Sequence, residues 1–453
     1  MLKVNPSIFR AYDIRGVFPD EINEKFAYLL GKALVKFSQK KAIIVGRDMR
    51  SSSDNLFISL AKGIKEQGVD VIDLGLCSTP LFNFALFSNK LTSFGVMITA
   101  SHNPKEYNGF KIADRKLGSI GLKNGLEKIK KILEKEDFVS LAKKKGKTIK
   151  RNFLRAYQKK VFSLVDKSLL SDFKIIADCG NGMAFLTLKG ISQRINSKII
   201  FLYPQPNGNF PHHQPNPIKT ETLKDLIKKV RREKADLGVA FDGDADRVGF
   251  VDEKGNYVSA DIIIILLAQE LLKKYPGGKV LYDLRSSRLV KEKIKEAGGI
   301  PLKSKVGRTF IIERMRKEKI IFGGELSCHF YFRDFYYSEC PDLVLLKILE
   351  ILKKKRKSFS QLIKSLKKYY QSGEINFRVK DKEKLIERLS KLYRKKTKQS
   401  FLDGLTCETK DWWFNLRPSN TEPLVRLNIE ANTPELLKEK KEELIKIIKK
   451  FAL

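Results

Sequence analysis

The chain has 453 residues, of which 42 % are hydrophobic and 10 % aromatic, and its formal net charge is +37. This composition excludes a disordered chain, and no apolar run reaches the ~18 residues that a membrane-spanning helix needs. At ~150 residues per domain, the length predicts about three domains, with two to four all reasonable.

The positive charge fits two kinds of partner. One is a nucleic acid or a membrane surface, and the other is an anionic small molecule bound by a protein with a lysine-rich solvated surface. Lysines alternate with glutamates at helical spacing in residues 127–135, and the dense clusters at 143–145 and 353–357 contain no aromatic residues for base stacking. We therefore expect an anionic small-molecule substrate, with no nucleic acid and no membrane as partner.

The cysteines and the first residues indicate a compartment. The five cysteines are far apart and form no Cys-x-x-Cys pair, which argues against a disulfide framework and against a structural zinc site. Residues 1–6 lack the apolar core of a signal peptide. We expect a protein of the reducing cytoplasm, either a monomer or a homodimer.

The first elements predict a mainly parallel sheet. Strands are expected at residues 42–45, 69–74 and 94–98, with a helix from about Ser53 between the first two. Strands that alternate with helices imply parallel pairing, and ligands of such sheets lie beyond the carboxyl ends of the strands. Residues 99–104 follow the third strand and are therefore placed to carry a nucleophile, Ser101.

Two features near the N-terminus leave alternatives open. His102 beside Ser101 allows a serine–histidine nucleophile, unless other partners of the hydroxyl lie elsewhere in the chain. Residues 7–16, which include Tyr12 and Arg15, form either an ordinary strand with surface arginines or a loop that presents a guanidinium group.

A short repeat suggests related domains. Apolar strands beginning near Ile43, Lys174 and Lys279 each end near an aspartate and a turn or basic residue. The polar run 143–151 is a candidate linker or crossover, and the sequence pattern changes around 371–376 towards a smaller α+β domain. We predict three related α/β domains with mixed, mainly parallel sheets, followed by the α+β domain. The expected boundaries are 1–150, 151–254, 255–368 and 369–453.

Three alternating carboxylates form the strongest local signal. Asp242, Asp244 and Asp246 follow an apolar strand, and like charges this close repel, so a cation is expected between them. Oxygen ligands indicate Mg²⁺, Mn²⁺ or Ca²⁺. An EF-hand loop does not fit, because Arg247 stands where that loop needs glycine; a polar turn without metal is the other alternative. Arg247 suits a site that holds a cation and a phosphate together.

Residues 323–329 are the next candidate. Glu325, Ser327 and His329 alternate, so on an extended loop their side chains share one side and are suited to read sugar hydroxyls. The alternative is a structural turn followed by a strand.

Residues 415–426 are the last candidate. Arg417 and Arg426 bracket a loop of hydroxyl and amide side chains bounded by prolines, as a phosphate dianion would require. The alternative is a plain surface loop.

Four motifs in this order resemble the α-D-phosphohexomutase family, in its phosphomannomutase/phosphoglucomutase branch. They are Thr99–Pro104, Asp242–Arg247, Gly324–His329 and Arg417–Pro423, and the resemblance runs from Phe9 to Arg426. It implies four domains around a central cleft, each giving one loop. It also implies interconversion of hexose 1-phosphates and 6-phosphates of mannose, glucose or both, through a phosphoserine and a 1,6-bisphosphate that acts as activator.

The resemblance also implies residue roles. Ser101 is the phosphoserine, and its phosphate joins Asp242, Asp244 and Asp246 in binding Mg²⁺. The proposed acid/base residues are Arg15, Lys111 and His329. The residues implied in substrate binding are Tyr12, Arg247, Arg285, Arg308, Glu325, Ser327, His329, Arg417, Ser419, Asn420, Thr421 and Arg426.

Some positions depart from the family pattern. Cys328 stands where the family often has glycine, Arg308 where many members have histidine, and Arg285 where many have lysine. These departures bear on acid/base chemistry and sugar preference. Two rivals are a Mg²⁺-dependent phosphatase, which needs no second arginine site, and a nucleic-acid-binding protein, which needs no aspartates.

Overall fold

The chain forms four β-sheets one after another along the sequence, each with its own helices. This computed structural model describes residues 5–418 and 424–451. We call the units built on the four sheets domains I to IV, in chain order.

Domain I has a mixed seven-stranded sheet in the order β1-β5-β4-β2-β3-β7, with β6 beside β5. Its strands are β1 (Ile14–Val17), β2 (Ala42–Arg47), β3 (Asp70–Leu76), β4 (Phe94–Ile98), β5 (Tyr107–Asp114), β6 (Gly118–Ser119) and β7 (Thr148–Lys150). Its helices are α1 (Glu24–Ser38), α2 (Ser53–Lys65), α3 (Thr79–Ser88) and α4 (Leu126–Lys135). The strands β2, β3, β4 and β7 are parallel, whereas β5 runs antiparallel to both β4 and β1.

Domains II and III each have a five-stranded sheet, in the orders β12-β11-β10-β8-β9 and β14-β13-β15-β16-β17. The strands are β8 (Lys174–Asp178), β9 (Lys198–Leu202), β10 (Leu237–Phe241), β11 (Val248–Asp252), β12 (Tyr257–Val258), β13 (Lys279–Asp283), β14 (Ile300–Ser304), β15 (Phe322–Gly324), β16 (Phe330–Phe332) and β17 (Ser338–Glu339). The helices are α5 (Leu154–Phe162), α6 (Ala184–Ser192), α7 (Lys224–Glu233), α8 (Ala260–Lys274), α9 (Arg288–Glu296), α10 (Arg308–Lys317), α11 (Pro341–Lys355) and α12 (Phe359–Lys364).

Domain IV is an antiparallel sheet in the order β18-β23-β22-β21-β20, with β19 beside β23. Its strands are β18 (Tyr370–Gln371), β19 (Ile375–Arg378), β20 (Lys398–Ser400), β21 (Leu405–Glu408), β22 (Trp412–Pro418) and β23 (Leu424–Ala431), and its helices are α13 (Lys382–Tyr393) and α14 (Pro434–Lys449). The helix α14 begins after Thr433, whose side chain accepts a hydrogen bond from the Leu436 N–H, and Pro434 occupies its first position.

The repeat seen in the sequence corresponds to equivalent strands. β2, β8 and β13 each lie between two parallel neighbours, and in each sheet an antiparallel strand follows on one side. After each of these strands an aspartate Oδ1 accepts the backbone N–H two residues on, at 3.1 Å for Asp48, 2.9 Å for Asp178 and 2.8 Å for Asp283. Such turns leave the strand ends open towards a shared edge. The predicted fold class is confirmed.

A continuous apolar core joins domains I, II and III, while domain IV has a core of its own. The helix α3 is apolar on all sides, and residues 79–86 are all buried. Its Phe84 ring packs on Tyr157 and Phe335, with ring centroids 5.8 and 6.1 Å away. Because α3 bridges three domains, the loops that these domains supply are held in fixed relation.

Part of the run 143–151, predicted as a linker or crossover, is the strand β7. This strand pairs in parallel with β3 at the edge of the first sheet. Polar side chains suit an exposed edge strand, so composition alone did not reveal it.

No helix in residues 5–418 or 424–451 is both long and apolar enough to cross a bilayer.

Candidate active site

The Ser101 turn lies directly beyond β4 and is almost completely buried. Ser101 has a φ of 52°, a left-handed conformation that costs an L-residue free energy. Its N–H donates to Thr99 Oγ1 at 2.9 Å, and its hydroxyl donates to Asp242 Oδ2 at 2.6 Å. Nδ1 of His102 is 3.3 Å from the same hydroxyl. The first partner of Ser101 is therefore a carboxylate from domain II.

The three aspartates follow β10 in a tight turn. Oδ1 of Asp242 accepts the N–H groups of Asp246 and Arg247 at 3.0 and 3.1 Å, which closes the turn. Asp242, Asp244 and Asp246 are all buried, and one oxygen from each lies within 4.8 Å of the others. Burial and the charges of Asp246 and Asp244 raise the pKa of Asp242 well above its usual range. A cation is needed for all three to be ionised together.

The donor set fits a hard divalent cation. Oδ1 of Asp244 and Oδ1 of Asp246 are buried, and neither accepts a hydrogen bond from any residue that the structure describes. Lys111 Nζ donates to Asp244 Oδ2 at 2.5 Å and to Asp246 Oδ2 at 2.7 Å. The Thr79 hydroxyl donates to the same Asp244 oxygen at 2.5 Å. Carboxylate oxygens free of donors are the ligands that Mg²⁺ and Mn²⁺ prefer. This donor set supports a divalent metal site.

Lys111 reaches the aspartates from the middle of β5. β5 pairs with β4 so that Lys111 lies opposite Met97, close to the start of the Ser101 turn. Burial lowers the pKa of Lys111, but Asp244 and Asp246 outweigh burial and raise it above its ordinary value. Lys111 is therefore a cation that links β5 to the metal-binding turn.

Arg15 lies on the neighbouring strand β1, opposite Gly109 of β5. Its guanidinium donates to Asn103 Oδ1 at 2.7 Å and to Asp13 Oδ2 at 2.5 Å. Of the two interpretations of residues 7–16, the structure supports a strand that also presents Arg15 to the Ser101 turn.

The sugar-binding candidates lie on a tight turn between β15 and β16. The expectation of an extended loop is wrong: the Glu325 N–H donates to the His329 carbonyl at 2.9 Å, and Cys328 has a φ of 66°. The turn nevertheless brings Ser327 Oγ within 3.1 Å of His329 Nδ1. Glycine adopts such a φ readily, whereas cysteine adopts it at some conformational cost. Cys328, which stands where the resemblance predicts glycine, therefore carries that cost.

His329 connects this turn to the metal-binding turn. Its Nε2 accepts a hydrogen bond from Arg247 Nε at 3.2 Å and lies 3.3 Å from Asp246 Oδ1. The Nδ1 of the same ring faces Ser327 and lies 3.4 Å from Glu325 Oε2. Glu325 is fixed by the Gly307 N–H at 3.1 Å and by the Tyr331 hydroxyl at 2.6 Å.

Arg308 occupies a network between domains I and III. Its guanidinium pairs with both carboxylate oxygens of Glu339 and donates to Ser119 Oγ at 2.9 Å. Tyr12 also bridges these domains, because its hydroxyl donates to the Val306 carbonyl at 2.9 Å. These two predicted substrate contacts are engaged with the protein itself.

A cluster of arginines lies between domains III and IV. Three arginines approach the carboxylate of Glu374, with nitrogen–oxygen distances of 3.6 Å for Arg285, 3.6 Å for Arg417 and 3.3 Å for Arg426. Asp283 holds Arg285 through a 2.7 Å ion pair. Three guanidinium groups around one carboxylate form a site that also suits a phosphate dianion. The predicted Ser419, Asn420 and Thr421 lie outside the described residues.

Sequence reasoning missed several residues of this region. Thr79 carries a hydroxyl to Asp244, and its only signal was a Ser-Thr-Pro helix start after β3. Glu374 follows Gly373 in residues 371–376, where the sequence pattern changes to that of domain IV. Nothing in the neighbouring residues indicated that arginines surround it. Arg50, which contacts the Ser101 turn, follows β2 in an Asp-x-Arg pattern that recurs at Asp283–Arg285.

The comparisons with known proteins agree with this geometry. Family models for the α/β/α domains I, II and III of phosphoglucomutase/phosphomannomutase match residues 6–140, 151–255 and 259–370, and the model of its C-terminal domain matches 374–447. The chain is 43 % identical to a phosphomannomutase of Methanocaldococcus jannaschii over 98 % of both chains. It is 38 % identical to one of Escherichia coli over 93 % of this chain and 94 % of that one.

A solved structure shows the same arrangement. A phosphoglucomutase/phosphomannomutase family protein from Burkholderia thailandensis superposes with a TM-score of 0.89 at 29 % identity, covering 98 % of both chains. The four family models match consecutive parts of the chain, and the two relatives and the solved structure match it over at least 93 % of its length. Together with the serine, aspartate and arginine loops described above, these matches show that the chain belongs to the phosphoglucomutase/phosphomannomutase family.

Proposed function

We propose that this chain interconverts hexose 1-phosphates and hexose 6-phosphates, of mannose, glucose or both. The reaction runs through a phosphoserine at Ser101 and a hexose 1,6-bisphosphate, which also serves as activator by phosphorylating the resting enzyme. The names of the two relatives, both phosphomannomutases, support mannose as one of the sugars. We keep the boundaries 1–150, 151–254, 255–368 and 369–453 as part of the proposal, with one functional loop from each domain.

One observation carries the proposal: the described residues form two side-chain clusters of different composition, each suited to an anion. The first combines the Ser101 hydroxyl with three aspartates and the cations Lys111 and Arg247. The second combines three arginines and has no nucleophile among its described residues. A substrate with two phosphates in either orientation needs one site that transfers and one that only binds.

The proposed chemistry consists of two phosphoryl transfers. In the first, a sugar hydroxyl oxygen attacks the phosphorus of phosphorylated Ser101, the bond between phosphorus and Ser101 Oγ breaks, and the hydroxyl proton passes through a base to the departing Ser101 Oγ. The bisphosphate then turns end for end. In the second, Ser101 Oγ attacks the other phosphoryl group, the bond from that phosphorus to the sugar oxygen breaks, and the proton returns to the sugar. Such transfers depend mainly on positioning and on charge neutralisation.

The residues present fit these requirements. A divalent cation held by Asp242, Asp244 and Asp246, which we propose to be Mg²⁺, neutralises charge on the phosphoryl oxygens when bound. Arg247, whose Nε lies 3.6 Å from Asp242 Oδ2, is positioned to contact the same phosphate.

Proton transfer is assigned to the group formed by Arg15, Lys111 and His329. Lys111 and His329 both contact Asp246, and Arg15 contacts the Ser101 turn through Asn103. His102 is less suited to act as a base on Ser101, because burial and the charges of Arg247 and Arg15 lower its pKa well below the ordinary value. Glu325, Ser327 and His329 are proposed to read the sugar hydroxyls.

A coupled assay tests the proposal. Purified protein is given mannose 1-phosphate or glucose 1-phosphate with Mg²⁺ and a trace of the 1,6-bisphosphate, and formation of the 6-phosphate is followed. We expect conversion that is lost in Ser101→Ala and in Asp244→Asn, and retained in Ser163→Ala and Asp172→Asn, which change exposed residues. Full activity of both site variants contradicts the mechanism, and release of free phosphate as the main product indicates the phosphatase instead.

A further inference from the structure

The guanidinium of Arg50 lies buried beneath the Ser101 turn and bonds only to main-chain oxygens there. Nη2 donates to the carbonyls of Ser101 and Asn103 at 2.9 and 2.7 Å, and Nη1 donates to those of Pro104 and Tyr107 at 2.6 and 2.7 Å. Four carbonyls of one short turn therefore point at a single cation. Hydrogen bonds from a charged donor are stronger than those between neutral groups, so the turn has one strongly favoured position.

The orientation of Arg50 follows from the turn after β2. Asp48 Oδ1 accepts the Arg50 N–H at 3.1 Å and the Ser53 hydroxyl at 2.7 Å, while its Oδ2 lies 3.3 Å from Arg50 Nε. Asp283 and Arg285 make the same turn in domain III, but there the guanidinium extends to Glu374 in the arginine cluster. The repeated Asp-x-Arg turn thus serves phosphate binding in domain III and the nucleophile's backbone in domain I.

Domain II closes over this arrangement through residues 207–214. The Phe210 ring centroid lies 5.2 Å from the Arg50 guanidinium carbon, and a Cβ on Gly208 would come within 2.7 Å of the Arg50 Cα. Gln214 donates its side-chain amide to the His102 carbonyl at 2.6 Å. Arg50 and Gln214 together supply side-chain donors to five carbonyls of the Ser101 turn.

We propose that Arg50 is a positioning residue for phosphoryl transfer, which fixes the left-handed backbone of Ser101 so that its phosphorylated oxygen stays aligned with the metal-binding aspartates. Arg50 does not touch the reacting atoms; it acts through the peptide groups of the turn. This inference rests on the proposed function.

The physical reason is the conformation of Ser101 itself. A serine with φ of 52° relaxes unless its surroundings hold it. The position of its Oγ depends directly on that backbone, since only the Cα–Cβ torsion lies between them. A shift of about 1 Å at a reacting atom can reduce a rate ~100-fold without any change in substrate contacts. The substrate contacts of domains III and IV are independent of Arg50.

The test compares Arg50→Lys with Arg47→Lys. Lysine keeps the charge but lacks the fork that serves four carbonyls. Arg47 is a matched control at the end of the same strand, since it pairs with Asp54 and Asp73 and packs on the Phe57 ring. We expect Arg50→Lys to lower kcat by roughly 10- to 100-fold with KM changed less than about threefold. We expect Arg47→Lys to leave both within about twofold.

A second readout follows the phosphoserine directly. Intact mass gives its occupancy, and ³¹P NMR gives its environment on the full-length phosphorylated protein with and without Mg²⁺. We expect Arg50→Lys to be phosphorylated by the bisphosphate but to show a shifted or broadened phosphorus signal. A general loss of structure lowers the melting temperature and raises KM as well, and that pattern would overturn the positioning role.

A second variant keeps the proposal falsifiable if Arg50→Lys does not fold. Gln214→Leu removes the donor to the His102 carbonyl from the domain II side, and we expect a smaller fall in kcat at unchanged KM. Wild-type kcat in folded Arg50→Lys, or in Gln214→Leu where Arg50→Lys is unfolded, overturns the inference. Absence of mutase activity in the wild type instead refutes the proposed function, so the two failures are distinguishable.

Discussion

The hydroxyl of Ser101 donates to Oδ2 of Asp242 at 2.6 Å, although 141 positions separate the two residues in the chain. This contact joins the ends of β4 and β10, which belong to different sheets. In the proposed mechanism, neither domain I nor domain II alone holds the complete site, because the serine oxygen and the three carboxylates come from different domains.

Metal dependence is the first prediction. Treatment with a chelator is expected to abolish mutase activity, and Mg²⁺ is expected to restore it. In Asp242→Asn we expect Mn²⁺ affinity, measured by calorimetry, to fall by more than about tenfold, since the loss of a carboxylate ligand costs more than the loss of an outer-shell partner. Asp225→Asn, an exposed residue, is the control. Unchanged Mn²⁺ affinity in Asp242→Asn argues against the ligand assignment.

The second prediction concerns Glu374, which occupies the arginine site. Glu374→Gln keeps the shape but removes the charge with which an incoming phosphate competes. We expect KM for the hexose phosphate to fall by roughly three- to tenfold, because a partly exposed ion pair contributes ~0.2–1 kcal/mol and three such pairs are removed. Steady-state kinetics check this, with the exposed Glu387→Gln as control. A higher KM means that Glu374 organises the arginines instead of competing for them.

The third prediction concerns the junction of Gly307 with Tyr12. Gly307 has a φ of 128°, and a Cβ there would lie 2.3 Å from the Tyr12 hydroxyl oxygen. We expect Gly307→Ala to destabilise the protein by roughly 1–3 kcal/mol, from backbone strain and displacement of the ring. Denaturant unfolding measures this difference. In a Tyr12→Ala background the cost should shrink to the backbone part alone; an equal cost in both backgrounds excludes the clash as its cause.

The fourth prediction is a pH dependence centred on Asp261. Burial raises the pKa of this carboxyl to about 6, although the Ser287 N–H at 3.0 Å and the Gln371 amide at 3.1 Å favour its ionised form. A raised pKa in the folded state means that stability is present below the unfolded pKa of ~3.9 and is lost as pH rises through about 6. The ionisation of Asp261 also affects domain IV, because the Gln371 amide donates to both Asp261 and Glu430.

Asp261→Asn removes this ionisation. From pH 4 to pH 7 we expect the free energy of unfolding of the variant to gain roughly 2–3 kcal/mol relative to the wild type, since each unit of pKa shift corresponds to ~1.4 kcal/mol. Unfolding curves at several pH values measure the gain, with the exposed Asp20→Asn as control. A constant difference across this range refutes the assignment.

Much of the fold could be predicted from the sequence. The alternation of strands and helices predicted mainly parallel sheets, and the Asp-ending strands predicted related domains; the structure shows both, with the same strand order in three sheets. These features are local, since periodicity and turn chemistry act within a few residues. The edge strand β7 was missed because its polar residues look like those of a linker.

The site was predicted unevenly for a physical reason. The Asp242–Asp246 spacing is informative alone, because like charges so close require a cation. Residues whose role depends on what packs against them left no such signal. Arg50 and Arg285 share one turn pattern, yet one guanidinium faces carbonyls and the other a carboxylate. The turn at Glu325–His329 was wrongly expected to be extended, because nothing local indicated the left-handed Cys328.

The helix α3 has a consequence for how the protein is made. It is apolar on all sides, and part of its cover is Tyr157 of α5 and Phe335 just before β17. A ribosome delivers domain I long before it delivers Phe335, so a newly made domain I exposes one face of α3 to water until domain III emerges. Thr79, at the start of that helix, contacts Asp244, which is translated 165 residues later, so this contact also forms only after β10 of domain II has been made.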